Sequence, residues 1–336
     1  MTLEIRYRGH SALDGLEADT RVGFKMSFNE FVSGRRFQDM KKLNLMGTEG
    51  DASLLRETVA YSLLAKMGVA APFVNYAEVY ADGEFLGVFP LTEEPDDEPF
   101  LEKHFSDDTG HLYRVGGYCG GKGTFEYKDE DPLSYSETYE PRADTLPEHL
   151  LEDLVPLTKC VAEIEDAAFE ACVDTWVDVD SFFTLAAADI LFPDVDGMMG
   201  NGQNFMMYRD PAIDKFVFYA WDKDQALSTY NLVEDWSIYR VYPPWGESFY
   251  SLLGSRLIEL RRQTYCDKLL EVADYYDPDV LLPEIDALAK FLGPRVEADP
   301  FLDADDWSYG VEDVVEIVAD RHESVVALAT VCAPAP

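Results

Sequence analysis

Asp82-Gly83 sits between two extended runs, residues 74–80 and 84–90. An Asp-Gly pair in that setting closes an antiparallel hairpin, because both residues tolerate the positive φ of a tight two-residue turn. Three runs upstream also read as strands: residues 2–8, 22–28 and KKLNLM at 41–46. In the last, Lys42, Asn44 and Met46 share one face, and Lys41, Leu43 and Leu45 share the other. One helix interrupts the strands. Asp51 or Ser53 caps it, Leu55, Val59, Leu63 and Leu64 recur at helical spacing, and Gly68 stops it after Lys66. The first 100 residues therefore read β-β-β-α-β-β, a small antiparallel sheet with one helix, which excludes a repeated βαβ unit.

The acidic, proline-bearing stretch EEPDDE at 93–98 is the expected hinge between an N-terminal lobe, 1–93, and a larger, mainly helical lobe, 94–330. The fold class is α+β. Residues 107–147 are polar and rich in Gly and Tyr, with few long periodic runs. Helices are expected over 151–164 and 179–191 and through most of 250–325, with a hairpin of 205–208 and 215–221 around Asp210-Pro211. The tail, 331–336, is expected to be disordered.

Asp and Glu number 65 against 27 Lys and Arg, a net charge of −38. Such a chain lacks the basic surface that grips nucleic acid or an anionic membrane, and it favours a cationic partner. A salt-adapted protein would show the same excess. Residues 1–75 hold 10 Lys/Arg and 9 Asp/Glu, so the acidity lies in the remainder. The five cysteines, Cys119, Cys160, Cys172, Cys266 and Cys332, are odd in number and form no CxxC. They are expected to be buried free thiols in a reducing compartment. The start, MTLEIRYRGH, is not a signal peptide, and no apolar run reaches membrane-spanning length. A cytoplasmic location follows for this chain, or an extracellular or envelope one if a leader has been trimmed.

GGYCGGKG at 116–123 fits the start of a P-loop but places Gly123 where Ser or Thr would hold magnesium, and no apolar strand precedes it. The five histidines are scattered without metal spacing, and no G-x-S-x-G elbow occurs. The stretch richest in chemistry is 189–227. A Gly-rich loop carries Asp194, Asp196, Asn201 and Asn204, and an apolar strand ends on Trp221-Asp222-Lys223-Asp224. Asp and Asn side chains are hard oxygen ligands of the kind magnesium takes, although both also favour turns for their own reasons.

Six segments in order resemble the CotH family, the spore-coat protein H kinases, which are atypical protein kinases. They are IRYRGHSA (5–12), FKMSF (24–28), KKLNL (41–45), DASLLRETVAYSLLAKMGVAAP (51–72), VYADGEFLGVFPLTEEPD (79–96), and DVDGMMGNGQNFMMYRD (194–210) with WDKD (221–224). The resemblance implies a two-lobed, atypical protein-kinase-like fold using ATP and Mg2+ or Mn2+. Its acceptor would be Ser or Thr of a protein or peptide, a basic Ser-rich one being favoured. Within it Asp196 would orient the acceptor hydroxyl, Asn204 and Asp222 would hold metal, and Asp224 would be a second-metal candidate. Lys42 paired with Glu57 would steady the phosphates, with Lys41 and Lys25 as alternatives. Arg8 and Gly9 would lie over the phosphates, and Glu93 at the hinge would meet the adenosine end.

The pattern departs from the family in places. Asp196 and Asn204 are eight residues apart, where an ordinary kinase loop has five, and no His-Arg precedes Asp196. Gln203 stands where the family often has His, and Asp82 where it often has Asn. Two other readings stand beside the kinase: a non-catalytic nucleotide-binding scaffold of a surface or envelope assembly, and a kinase-like transferase that moves AMP or modifies a small molecule or biosynthetic peptide.

Overall fold

The computed structural model describes residues 3–8, 21–47, 50–116, 122–142, 151–163, 165–229 and 251–332. Its first layer contains β1 (Glu4–Arg8), β2 (Gly23–Ser27), β3 (Lys42–Leu45), α1 (Arg56–Lys66), β4 (Val74–Ala81) and β5 (Glu84–Glu93). The strands form one antiparallel sheet in the order β1-β2-β3-β5-β4. Asp82 and Gly83 both take positive φ, 51° and 88°, as the β4–β5 turn requires. The N-cap of α1 is Leu55, which makes no side-chain cap bond, and not Asp51 or Ser53; those two instead hold the backbone that leads into the helix. Asp51 Oδ2 accepts from the Arg56 amide at 2.9 Å, and Ser53 Oγ from the Leu55 amide at 3.0 Å.

Strand alternation then decides what faces α1 and what faces away. Lys25 lies opposite Asn44, and Asn44 opposite Thr92, so the three form one polar row across the sheet. Asn44 and Thr92 are fully buried. Leu43 pairs with Glu93 on the opposite face.

The chain continues through α2 (Glu98–His104), β6 (His111–Val115), β7 (Tyr139–Arg142), α3 (Leu154–Val161), α4 (Asp166–Trp176) and α5 (Val179–Leu191). It then forms β8 (Phe205–Asp210), β9 (Lys215–Ala220), α6 (Leu252–Leu260), α7 (Arg262–Ala273), α8 (Pro278–Val296) and α9 (Ala304–Val331). The remainder is mainly helical as expected, and the expected β8–β9 hairpin is widened by two further strands into a second antiparallel sheet, ordered β7-β6-β8-β9. Its strands β6 and β7 fall in the stretch 107–147, which showed few long periodic runs. Each has only four or five residues, and β6 finds its partner β8 far along the chain, with His111 opposite Arg209. Pairing at that distance leaves no local signature.

Helix α5 packs on β9, α7 and α9, and buried apolar residues run without a break from Leu54 to Ala329. Deep in this core Arg321 of α9 donates twice to the Ile190 carbonyl, at 3.0 and 3.2 Å. The structure is thus mixed α/β with two antiparallel sheets. Among the described residues no helix is long and apolar enough to cross a membrane.

The cysteines do not match the free-thiol expectation. Cys160 of α3 is bonded to Cys172 of α4, and Cys266 of α7 to Cys332 just beyond α9. The pairs are 12 and 66 residues apart, so helix packing rather than sequence spacing brings them together. Disulfides persist in oxidising surroundings, which argues against the reducing compartment expected from their count. The second bond also corrects the disordered tail at its start: Val331 ends α9 and Cys332 is anchored. Residues 333–336 and Cys119 lie outside the described residues.

Candidate functional site

Asp196 sits in the loop between α5 and β8 and is the acceptor for three side-chain amides. Asn201 Nδ2 donates to its Oδ1 at 2.9 Å, Gln203 Nε2 donates to the same oxygen, and Asn204 Nδ2 donates to Oδ2 at 2.8 Å. Asp196 and Asn204 are therefore in direct contact despite eight intervening peptide bonds. Burial pushes the Asp196 carboxyl above the usual range, Asp194 and Asp222 push the same way, and the Asn201 and Gln203 amides pull against them. Gln203 also accepts from Lys122 Nζ at 3.0 Å. Lys122 belongs to the glycine stretch that failed as a P-loop, and this residue meets the site through Gln203.

The β8–β9 hairpin delivers the second half of the site. The Trp221 amide donates to the Asn204 carbonyl at 3.1 Å. Asn204 and Asp222 both take left-handed backbone, φ 55° and 53°, which Asn and Asp adopt more readily than most residues. Beyond Trp221, Asp222 and Asp224 are partly exposed while Lys223 between them is fully buried. Lys223 Nζ bridges Asp189 at the end of α5, at 2.9 Å, and Asp194, at 2.5 Å. Those carboxylates in turn accept from the loop backbone: Asp189 from Met199, at 3.2 Å, and Asp194 from Asp196, at 3.1 Å. A Cβ on Gly197 would lie 2.6 and 2.7 Å from the same two carboxylates, so the loop closes on them only with glycine there. This buried triad locks the Asp196 loop to the Asp222 strand.

From the first sheet, Glu57 of α1 reaches the same place. It is buried, accepts from Thr92 Oγ1 at 3.3 Å and from Tyr61 at 3.4 Å, and meets the Lys223 amide. Burial pushes its pKa up to about 8, the Asp222 charge adds to the rise, and Arg8 opposes it. Arg8, at the end of β1, lies 3.5 Å from Asp222 and stacks over Trp221 with 4.9 Å to the ring centre. Burial works against the Arg8 charge, but Asp222, Glu57 and Glu94 hold it protonated. Asp224 is raised well above the ordinary carboxylate range by burial and by the charges of Asp222, Glu57, Asp196 and Asp51.

Two expected placements are corrected. Lys42 does not pair with Glu57; its Nζ lies 3.6 Å from Asp97 at the hinge. The β3 residue level with Glu57 is Asn44, one pleat repeat along, because Thr92 both pairs with Asn44 and donates to Glu57. Lys41 pairs with Glu98. Lys25, directly opposite Asn44, ion-pairs with Glu94. Glu93 points the other way, to the Phe73 amide at 3.1 Å and Lys103 at 3.2 Å. Its register partner Leu43 lies on the face away from Asn44, so Glu94 takes the side expected for Glu93. Gly9 lies outside the described residues.

Asp196, Asn204, Asp222, Asp224 and Glu57 thus gather in one acidic cluster, with Arg8 as the cation against Asp222. The donors are all carboxylate or amide oxygens, and the carboxylates outnumber Arg8. Such a set fits a hard divalent cation, with Asn204, Asp222 and Asp224 as the residues that would hold it. Among the described residues the tightest carboxylate trio is elsewhere, at Glu98, Glu102 and Asp108. Two of its members already pair with Arg36, and Glu98 with Lys41 as well, so it is a surface ion-pair cluster.

The fold and site define a mixed α/β protein with two antiparallel sheets and a cluster of acidic residues gathered around Arg8. The chain matches the CotH kinase protein family over residues 5–325, and it belongs to that family. It is similar to the inner spore coat protein H of Bacillus subtilis (strain 168), with 24% identity over 225 residues. That match covers 67% of this chain and 58% of the relative.

Proposed function

We propose that the chain is a divalent-metal-dependent kinase that moves the γ-phosphoryl group of ATP to a Ser or Thr hydroxyl of a protein or peptide. The two sheets would be the two lobes of a kinase-like fold, joined near residues 93–98. The observation that carries this reading is the gathering of Asp196 and Asn204 with Asp222, Asp224 and Glu57 in one acidic cluster. Phosphoryl transfer asks the protein mainly for positioning and charge compensation, and these residues have the types it needs.

In this reading the acceptor oxygen bonds to the γ-phosphorus, the bridging oxygen leaves with ADP, and the hydroxyl proton passes to Asp196. The raised proton affinity of Asp196 suits that task, and its three amide donors fix the orientation of the carboxylate. Metal at Asn204, Asp222 and Asp224 would neutralise charge on the phosphates. Arg8, beside Asp222, and Lys25, beside Glu94, would meet the remaining phosphate charge in place of Lys42. The strong net negative charge beyond residue 75 would draw a cationic acceptor.

The test is γ-labelled ATP with Mg2+ or Mn2+ and a Lys/Arg/Ser-rich acceptor, beside Asp196→Asn and Asp222→Ala. Label on the acceptor or the enzyme should fall about 100-fold or more in each variant. Undiminished labelling in both variants would remove the site from the reaction. A product mass increment of AMP instead of phosphate would make the chain a nucleotidyl transferase.

A further inference from the structure

Helix α9 is remote in sequence from the acidic cluster, yet one of its faces lies against the segments that carry it. Trp307 Nε1 donates to the Ser53 carbonyl at 3.0 Å. Three residues on, Gly310 comes so close that a Cβ there would lie 2.8 Å from the Ser53 amide nitrogen. Asp313 follows on the same face, because residues three apart on a helix are neighbours. It is 7% exposed and ion-pairs with Arg56 of α1, Oδ2 to Nη2, at 2.9 Å. Its other oxygen accepts from the Thr229 amide at 3.0 Å and from the Thr229 hydroxyl.

Arg56 turns its second terminal nitrogen toward the cluster. Nη1 donates to the Gly50 carbonyl, and to the Asp224 carbonyl at 3.4 Å. Gly50 has φ 91°, and a Cβ on it would lie 2.6 Å from Asp224 Oδ2, so this loop packs on the Asp224 carboxylate itself. One carboxylate of α9 therefore holds the chain on both sides of Asp224: the loop before α1 through Arg56, and residue 229 directly. A buried ion pair is weak evidence for stability, since an apolar pair packs as well. What the guanidinium adds is direction, because its planar fork fixes several acceptors at once.

We propose that Asp313 is a positioning residue: acting through Arg56, it fixes Asp224 in the place where that residue would hold a divalent cation. The inference rests on the kinase reading. Removing a group that orients a metal ligand typically weakens metal binding about 10- to 100-fold.

Two readouts on the full chain test this. Mn2+ is titrated in the presence of ADP, with water-proton relaxation reporting the ion held by the protein. Beside it, the half-saturating Mn2+ is measured for labelling from γ-labelled ATP. Asp313→Asn should raise both Mn2+ constants about tenfold, and labelling should recover at saturating Mn2+, which a mere loss of fold would not allow. Arg56→Met with Asp313→Leu removes both charges together, leaves neither buried alone, and should raise the constants likewise. Trp307→Phe loses the bond to Ser53 but keeps the ion pair; it should lower Tm and leave the Mn2+ constants unchanged. Unchanged constants in either ion-pair variant, or an equal rise in Trp307→Phe, would overturn the role of Asp313 and leave the kinase reading standing. An intact chain that holds no Mn2+ and transfers no label would overturn the kinase reading and this inference with it.

Discussion

Glu57 shows what a single residue meets when the chain folds. In sequence it is one acid in the first turn of a helix. In the fold it is buried against Asp222 and keeps its proton up to about pH 8, against an ordinary value of 4.5. The folded state therefore binds more protons than the unfolded state between those values, and stability falls as pH rises through that window. Asp196 and Asp224 are raised too and act in the same direction. In EDTA, Tm should drop on the order of 5 °C between pH 5 and pH 8. Glu57→Gln should flatten the profile. An unchanged slope in that variant would show that Glu57 does not titrate there. Asp196, Asn204, Asp222 and Glu57 could be singled out in the sequence, and the fold brings them together. The lysine that lies level with Asn44 could not be, because three lysines lie within reach along the strands, and the pleat and register decide which one takes that row.

At the scale of elements, the buried Asp189–Lys223–Asp194 triad ties α5, the loop before β8 and the end of β9 into one unit. Lys223→Met would leave two carboxylates buried without their cation, at a cost of about 3–5 kcal/mol. Lys290→Met makes the control. It removes an ion pair with Asp286 on the exposed side of α8 and should change stability by less than about 0.5 kcal/mol. Urea denaturation of both variants decides between them, and equal midpoints would refute the role given to Lys223. The hairpins and long helices announced themselves through turn chemistry and periodicity. Strands β6 and β7 did not, since each is short and its stability comes from distant partners.

Across the whole molecule, the disulfides hold the helices that back the second sheet. On loop length alone, closing 66 residues stabilises by about 4 kcal/mol and closing 12 by about 3 kcal/mol. Thiol titration of the unreduced, denatured chain should find four of the five cysteines oxidised, and reduction should lower Tm. Five reactive thiols would mean that the bonds do not form. What the sequence determined by itself is whatever local chemistry encodes: the Asp82-Gly83 hairpin, the helix after Asp51, the Asn and Asp of the two site segments, and the excess of acid. The tertiary structure alone decided the pairings: Arg8 with Asp222, Lys25 with Glu94, Lys42 with Asp97, Cys266 with Cys332. Turn and helix preferences act over a few residues and can be read in order. A contact between residues dozens or hundreds of positions apart depends on register and packing, which exist only once the chain has closed on itself.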